Sequence, residues 1–188
     1  MTLYLASQSP RRAELLTQIG VSFSVVDIAI DETPLANESA RFYVERMAIE
    51  KSSSGFANVR SGVVLGADTT VVLDEKILGK PVDRDDAVAM LKLLSGKTHQ
   101  VMTAICMTSK NNQLTAVSVT EVSFRSLSEI EVNAYCDTGE PMDKAGAYGI
   151  QGRGAVFVNH IEGSYSGVVG LPLSETYLLL QQMDVSNE

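Results

Sequence analysis

With 188 residues, 45% hydrophobic and 20% charged, the chain has the make-up of an ordinary soluble globule, one domain or two small lobes, long enough to bury a sizeable core. A net charge of −8 argues against a general nucleic-acid or membrane-surface binder, and leaves room for a small basic pocket that holds an anion. No apolar run approaches the ~18 residues of a membrane span, the start Met1-Thr2-Leu3-Tyr4-Leu5 has no basic leader, and Cys106 and Cys136 make no disulfide framework, so a reduced, cytoplasmic setting is expected.

Residues 3–6 read as a short strand and Ser7-Gln8-Ser9 as a turn. Ser9 is placed to cap a helix that has Pro10 at its first position, where proline is favoured. Ala13, Leu15, Leu16 and Ile19 give this helix an apolar face, and Gly20 stops it. Arg11 and Arg12 stand in its first turn, where cations oppose the helix dipole. Together with the free N–H groups they make either an anion site that a phosphate would complete or two solvated arginines. Residues 21–30 carry a second strand pattern and lead to the acidic loop Asp31-Glu32-Thr33-Pro34. That loop suits a surface turn, with metal ligation as the alternative. A helix is predicted from Glu38 or Ser39 to Ser54, stopped by Gly55, with Phe42, Tyr43 and Met47 on its core stripe. Lys51 closes it, where a cation suits the dipole.

Residues 63–73 hold two apolar runs around Gly66-Ala67-Asp68-Thr69. They do not alternate polar with apolar, which predicts a strand buried on both faces. A carboxylate there costs several kcal/mol unless it is paired, protonated or bound to a metal. Asp68 is therefore a site residue, or else the cap of a turn between two shorter strands. Gly66 and Ala67 remove bulk beside it, which suits close approach by a ligand. Lys80 sits in a turn between Gly79 and Pro81 that can aim it into a cleft. Asp83 caps a helix through Leu94, ended by Gly96. Residues 99–109 and 114–125 are strands joined by the hairpin loop Lys110-Asn111-Asn112-Gln113. Ser128 and Glu131 form a capping-box pattern that opens a helix to about Asp137.

The glycine-rich loop of residues 143–152 matches neither the phosphate-loop nor the dinucleotide pattern. Residues 155–161 and 167–169 read as strands, Pro172 opens a last helix through Met183, and residues 185–188 read as frayed. His99 and His160 show no metal-ligand spacing and read as structural. There is no nucleophile elbow, and no interleaving of aromatic and basic residues that would make a stacking platform.

Ser7-Gln8-Ser9-Pro10-Arg11-Arg12, Gly66-Ala67-Asp68-Thr69, Gly79-Lys80-Pro81, the 143–152 loop and Gly170-Leu171-Pro172 resemble, in order and over nearly the whole chain, the motifs of the Maf family. The resemblance implies an α/β fold with a long mixed β-sheet, flanking helices and two lobes around a cleft, related to the inosine triphosphate pyrophosphatase fold. It implies one domain over residues 1–188 with no separable linker. It further implies hydrolysis of a nucleoside triphosphate between the α and β phosphates, to a monophosphate and pyrophosphate, with a divalent metal, Mg2+ or Mn2+. Asp68 matches the family's proton acceptor, and Glu32 would join it at the metal. Ser7, Arg11, Arg12, Lys51 and Lys80 would cradle the triphosphate. The sequence leaves open whether Asp68 takes the proton of water or holds the metal that activates it.

Gly66-Ala67-Asp68-Thr69 and Gly149-Ile150-Gln151-Gly152 resemble the subgroup that takes dTTP and UTP. The subgroup that takes 7-methyl-GTP has Gly-Ser-Asp-Gln and a glutamate in place of the glutamine. The amide of Gln151 offers a donor and an acceptor to a uracil or thymine edge, and Thr69 and Arg11 match the two remaining specificity positions. A nucleotide-pool house-cleaning role with a link to cell division arrest follows from the resemblance. The alternatives are a 7-methyl-GTP-type enzyme and a nucleotide-binding regulator of septum formation that needs no catalysis. The expected partners are the nucleotide and a second copy in a homodimer, with no nucleic acid and no membrane.

Overall fold

A computed structural model describes residues 1–185. Seven strands form one mixed sheet: β1 (Leu3–Ala6), β2 (Phe23–Val25), β3 (Val63–Leu73), β4 (Lys76–Leu78), β5 (Thr98–Thr108), β6 (Gln113–Phe124) and β7 (Val158–Glu162). The helices are α1 (Pro10–Gln18), α2 (Ala40–Ala57), α3 (Arg84–Leu94), α4 (Glu129–Cys136), α5 (Tyr165–Val169) and α6 (Leu173–Gln182). Strand order is β2-β1-β3-β5-β6-β7, with β4 also beside β3. β2, β1 and β3 run parallel, and the remaining pairs are antiparallel. No helix among the described residues is long and apolar enough to cross a membrane.

The pairing of β3 creates the cleft. On one edge, β1 covers it as far as Gly66, opposite Ala6, and β4 covers it from Val71 onward. Residues 67–70 therefore pair on the β5 edge alone. This gap lies at the carboxyl end of β1, which has β2 on one side and β3 on the other. Open α/β sheets bind ligands at such a switch point.

Side chains alternate across β3. Val63, Leu65 and Ala67 join Leu3 and Leu5, Leu15 and Leu16 of α1, and Leu179 and Leu180 of α6 in one core. Farther along, Val71 and Leu73 join Leu91 of α3, Val132 of α4 and Phe157 in a second core. On the opposite face, Val44 and Ala48 of α2 pack on Ala104 and Cys106 of β5. Gly66 faces α2, where a Cβ would strike the Ala48 carbonyl and the Ser52 backbone. Its bareness serves helix packing rather than a ligand.

Several expectations shift. β3 is one continuous strand, so Asp68 caps no turn. Ser9 is the N-cap of α1, but its side chain makes no cap hydrogen bond. Only residues 23–25 of the predicted 21–30 strand pair in the sheet. α2 runs through Gly55, which is bare because a Cβ would meet Val64 at 2.8 Å, and Lys51 lies inside the helix rather than closing it. Phe42 is 69% exposed, and the buried stripe is Val44, Met47, Ala48, Lys51, Ser52 and Gly55. Residues 153–157 form a 3-10 turn ahead of β7, and residues 167–169 are helical. Val185 is buried in the first core, not frayed, and residues 186–188 lie outside the described residues.

Candidate active site

A cleft of about 1000 Å³ opens at the gap in the β3 edge. Ser7, Arg11, Arg12, Glu32, Lys51, Asp68, Thr69, Lys80 and Gln151 all line it, so the structure gathers every site residue named from sequence.

Asp68 is buried at the cleft floor, on the α2 face of β3. Lys51 Nζ donates to Asp68 Oδ1 at 2.7 Å and lies 2.7 Å from Glu32 Oε1. The helix brings this ammonium to the strand because Gly66 lets α2 sit close. Burial alone would raise the Glu32 pKa, but the Lys51 hydrogen bond and charge outweigh it and hold the carboxyl below its ordinary value. Glu32 arrives on a loop fastened to α2. Tyr43 Oη donates to the Glu32 carbonyl at 2.9 Å, and Arg46 donates to the Thr33 carbonyl at 3.2 Å and to both oxygens of Glu38 at 2.6 and 2.7 Å. The Tyr43 pKa is pushed up to about 12, first by burial and then by the charges of Asp68 and Glu32.

Thr69 points to the other face, toward α1. Arg12 reaches it from the first turn of that helix: Nη2 donates to Thr69 Oγ1 at 3.3 Å, Nη1 to Ser7 Oγ at 3.0 Å, and Nε to the Gly170 carbonyl at 2.9 Å. Three partners fix the guanidinium, and burial lowers its pKa while the Asp68 charge opposes the shift. Thr69 Oγ1 also lies 2.9 Å from Thr103 Oγ1, which bonds the Gly167 carbonyl at 2.7 Å. Arg11 crosses the cleft to Asp143, 3.2 Å away, and Lys144 holds the same carboxylate at 2.6 Å. The 143–152 loop is tied to the Lys80 turn by the Gly146 N–H, which donates to the Gly79 carbonyl at 3.0 Å. Gly146 has φ +67° and a Cβ there would meet Val71 at 2.8 Å, so both conformation and space require glycine. Lys80 and Gln151 are exposed on the rim.

Tyr43, Thr103, Asp143, Lys144 and the Gly170 carbonyl escaped the sequence reading as site residues. A lysine on a helix's core stripe needs a buried partner, but a stripe of Phe42, Tyr43 and Met47 leaves Lys51 at the helix end, and the structure alone puts it on the buried face. His99 is structural, as expected: it is buried, and its Nε2 lies 2.9 Å from Tyr148 Oη. His160 is exposed on β7. Among the described residues no three His, Cys, Asp or Glu side chains cluster to hold a metal. The acidic donors that meet at Lys51 are Asp68, buried, and Glu32, half-exposed.

A pair of carboxylates, a ring of cations and a cleft at a sheet switch point suit an anionic substrate of nucleotide size. The comparisons agree in kind. The family described as Maf-like protein matches residues 2–183. A dTTP/UTP pyrophosphatase of Salmonella typhimurium is 56% identical over 97% of this chain and 93% of its own. Those of Pasteurella multocida and Alcanivorax borkumensis are 51% identical over 97% of this chain and 96% of their own, and 54% identical over 98% and 97%, respectively. The Ham1 protein of Staphylococcus aureus superposes with a TM-score of 0.50 at 14% identity, covering 66% of this chain and 72% of its own, a likeness of fold alone. With a family match that spans nearly its whole length and relatives above half identity, this chain belongs to the Maf family.

Proposed function

We propose that the protein hydrolyses dTTP and UTP to the monophosphate and pyrophosphate, at the anhydride bond between the α and β phosphates. The observation that carries this reading is the Asp68 carboxylate at the cleft floor, 2.7 Å from Lys51 and beside an arginine fixed by three hydrogen bonds. Asp68 accepts the proton of the attacking water. Arg11, Arg12, Lys51, Lys80 and the Ser7 hydroxyl neutralise the triphosphate and the charge that builds on the leaving pyrophosphate. The relatives' names support the substrate and the reaction. The two cores share one sheet, which supports treating the chain as a single two-lobed domain.

Glu32 and Asp68 would hold the divalent metal, Mg2+ or Mn2+. The donor set fits: two hard carboxylates converge on one cationic point, now the Lys51 ammonium, and Mg2+ is commonly held by one or two carboxylates with substrate phosphates and water. When bound, the ion supplies charge neutralisation at the phosphate oxygens. Lys51, beside both carboxylates, would then pair with the phosphates. A homodimer and a cytoplasmic setting remain part of this reading.

Gln151 selects the base. Its amide pairs with the donor and acceptor edge of uracil or thymine, and Thr69 and Arg11, which line the same cleft, complete the specificity set. Measurement of kcat/KM across UTP, dTTP, CTP, GTP and 7-methyl-GTP tests this. UTP and dTTP should lead, and Gln151→Glu should narrow the gap to the guanine nucleotides by about tenfold or more. A wild type that prefers 7-methyl-GTP would refute the substrate reading, and an unchanged order in Gln151→Glu would refute the role of Gln151.

A further inference from the structure

Glu140 does not line the cleft, yet its carboxylate is committed to the turn that carries Gln151. Oε1 accepts from the Tyr135 hydroxyl at 2.9 Å and from the Gly154 N–H at 3.3 Å, and Oε2 accepts from the Arg153 N–H at 3.0 Å. The Tyr135 oxygen in turn accepts from the Gly149 N–H at 3.2 Å. One carboxylate and one phenol thus satisfy backbone donors on both sides of Gln151. A side chain at Gly152 would strike the same carboxylate. Tyr135 is itself rigid: it is buried on α4, edge-on to Phe157 with ring centroids 5.0 Å apart.

Hydrogen bonds to an ionised carboxylate are the strong ones, and these hold a glycine-rich turn that has little stiffness of its own. We propose that Glu140, together with Tyr135, is a positioning residue for base selection: it fixes the 149–154 turn so that Gln151 meets the pyrimidine edge. The proposal rests on Gln151 reading the base. Without the clamp, the turn must be ordered when substrate binds, and that cost falls on affinity and discrimination rather than on the chemistry at Asp68.

The test uses the full chain with UTP and CTP, comparing Glu140→Ala, Glu140→Gln, Tyr135→Phe and Gln151→Ala with wild type. Amide hydrogen exchange across residues 149–154 is the readout independent of the base. Glu140→Ala should speed that exchange by about tenfold, raise KM for UTP by about tenfold and leave kcat within about threefold. It should also lower the UTP-to-CTP ratio of kcat/KM about tenfold, toward the value of Gln151→Ala. Glu140→Gln keeps an acceptor but loses one oxygen, and should fall between wild type and Ala. Tyr135→Phe removes the acceptor of the Gly149 N–H and one donor to Glu140 Oε1, so it should loosen Gly149 most, and it serves if the Ala variant does not fold. Unchanged exchange in Glu140→Gln and Tyr135→Phe would overturn the clamp. Faster exchange with an unaltered UTP-to-CTP ratio, where Gln151→Ala does alter it, would overturn its role in selection. An unaltered ratio in Gln151→Ala would strike the base reading itself, and this role with it.

Discussion

A lysine ammonium on the sheet-facing side of a helix is costly to bury unless it is paired, and Lys51 is paired twice, with Asp68 and with Glu32. Asp68 is legible as an oddity in an apolar strand, whereas Glu32 sits in an acidic loop that suits a surface turn, and only the family resemblance puts it at the site. Their meeting at Lys51 is not legible, because the local pattern makes Lys51 a helix-end charge. His99 shows the opposite outcome, a polar residue without a place in the chemistry. It lies edge-on to Phe124 and Tyr148, with centroids 5.0 and 5.5 Å away, and burial lowers its pKa to about 4. The unfolded chain, with an ordinary histidine value near 6.5, binds more protons between those two pH values. Stability therefore falls as pH drops from about 6.5 to about 4 and stops falling from this source below that. Thermal melts of wild type and His99→Gln check it. The wild type should lose more Tm than the variant between pH 7 and about pH 4.5; equal losses would contradict the buried, neutral imidazole.

Elements with local signals were read well. β3, the β5–β6 hairpin, the Asp83 cap and the Ser128 capping box each rest on residues adjacent in sequence. α2 departs from its local pattern: the large apolar Phe42 and Tyr43 predict one core stripe, whereas the buried stripe holds Lys51, Ser52 and Gly55. Ser52 Oγ donates to the Val64 carbonyl at 2.7 Å, and Gly55 and Gly66 let helix and strand approach. Small residues that allow close approach look like stops or ligand gaps until the facing element is known. The register of α2 on β3 sets the meeting of Lys51 and Asp68. Gly66→Ala should push the helix outward, costing about 1–3 kcal/mol in urea unfolding and lowering turnover in proportion as Lys51 withdraws. A variant as stable and as active as wild type would mean that the close contact does not matter.

At the scale of the molecule, the site exists because two short strands share one edge of β3 without meeting. β1 brings the Ser7–Arg12 segment to one side of the gap, and β4 brings the Lys80 turn to the other. That gap depends on how far each partner pairs, a tertiary quantity that local patterns do not carry. Seven site residues, Ser7, Arg11, Arg12, Asp68, Thr69, Lys80 and Gln151, lie in motifs that are legible through their order along the chain, and they line one cleft with Glu32 and Lys51, which lie outside those motifs. The Arg11–Asp143 pair and the Gly146–Gly79 bond join the two sides across it. The most direct test follows the phosphorus. Phosphorus NMR of UTP with wild-type protein and Mg2+ should show UMP and pyrophosphate appearing together, with no UDP. Asp68→Asn, folded by circular dichroism, should slow that release by about 10²–10⁴-fold. Orthophosphate with UDP, or an Asp68→Asn variant as fast as wild type, would contradict the account.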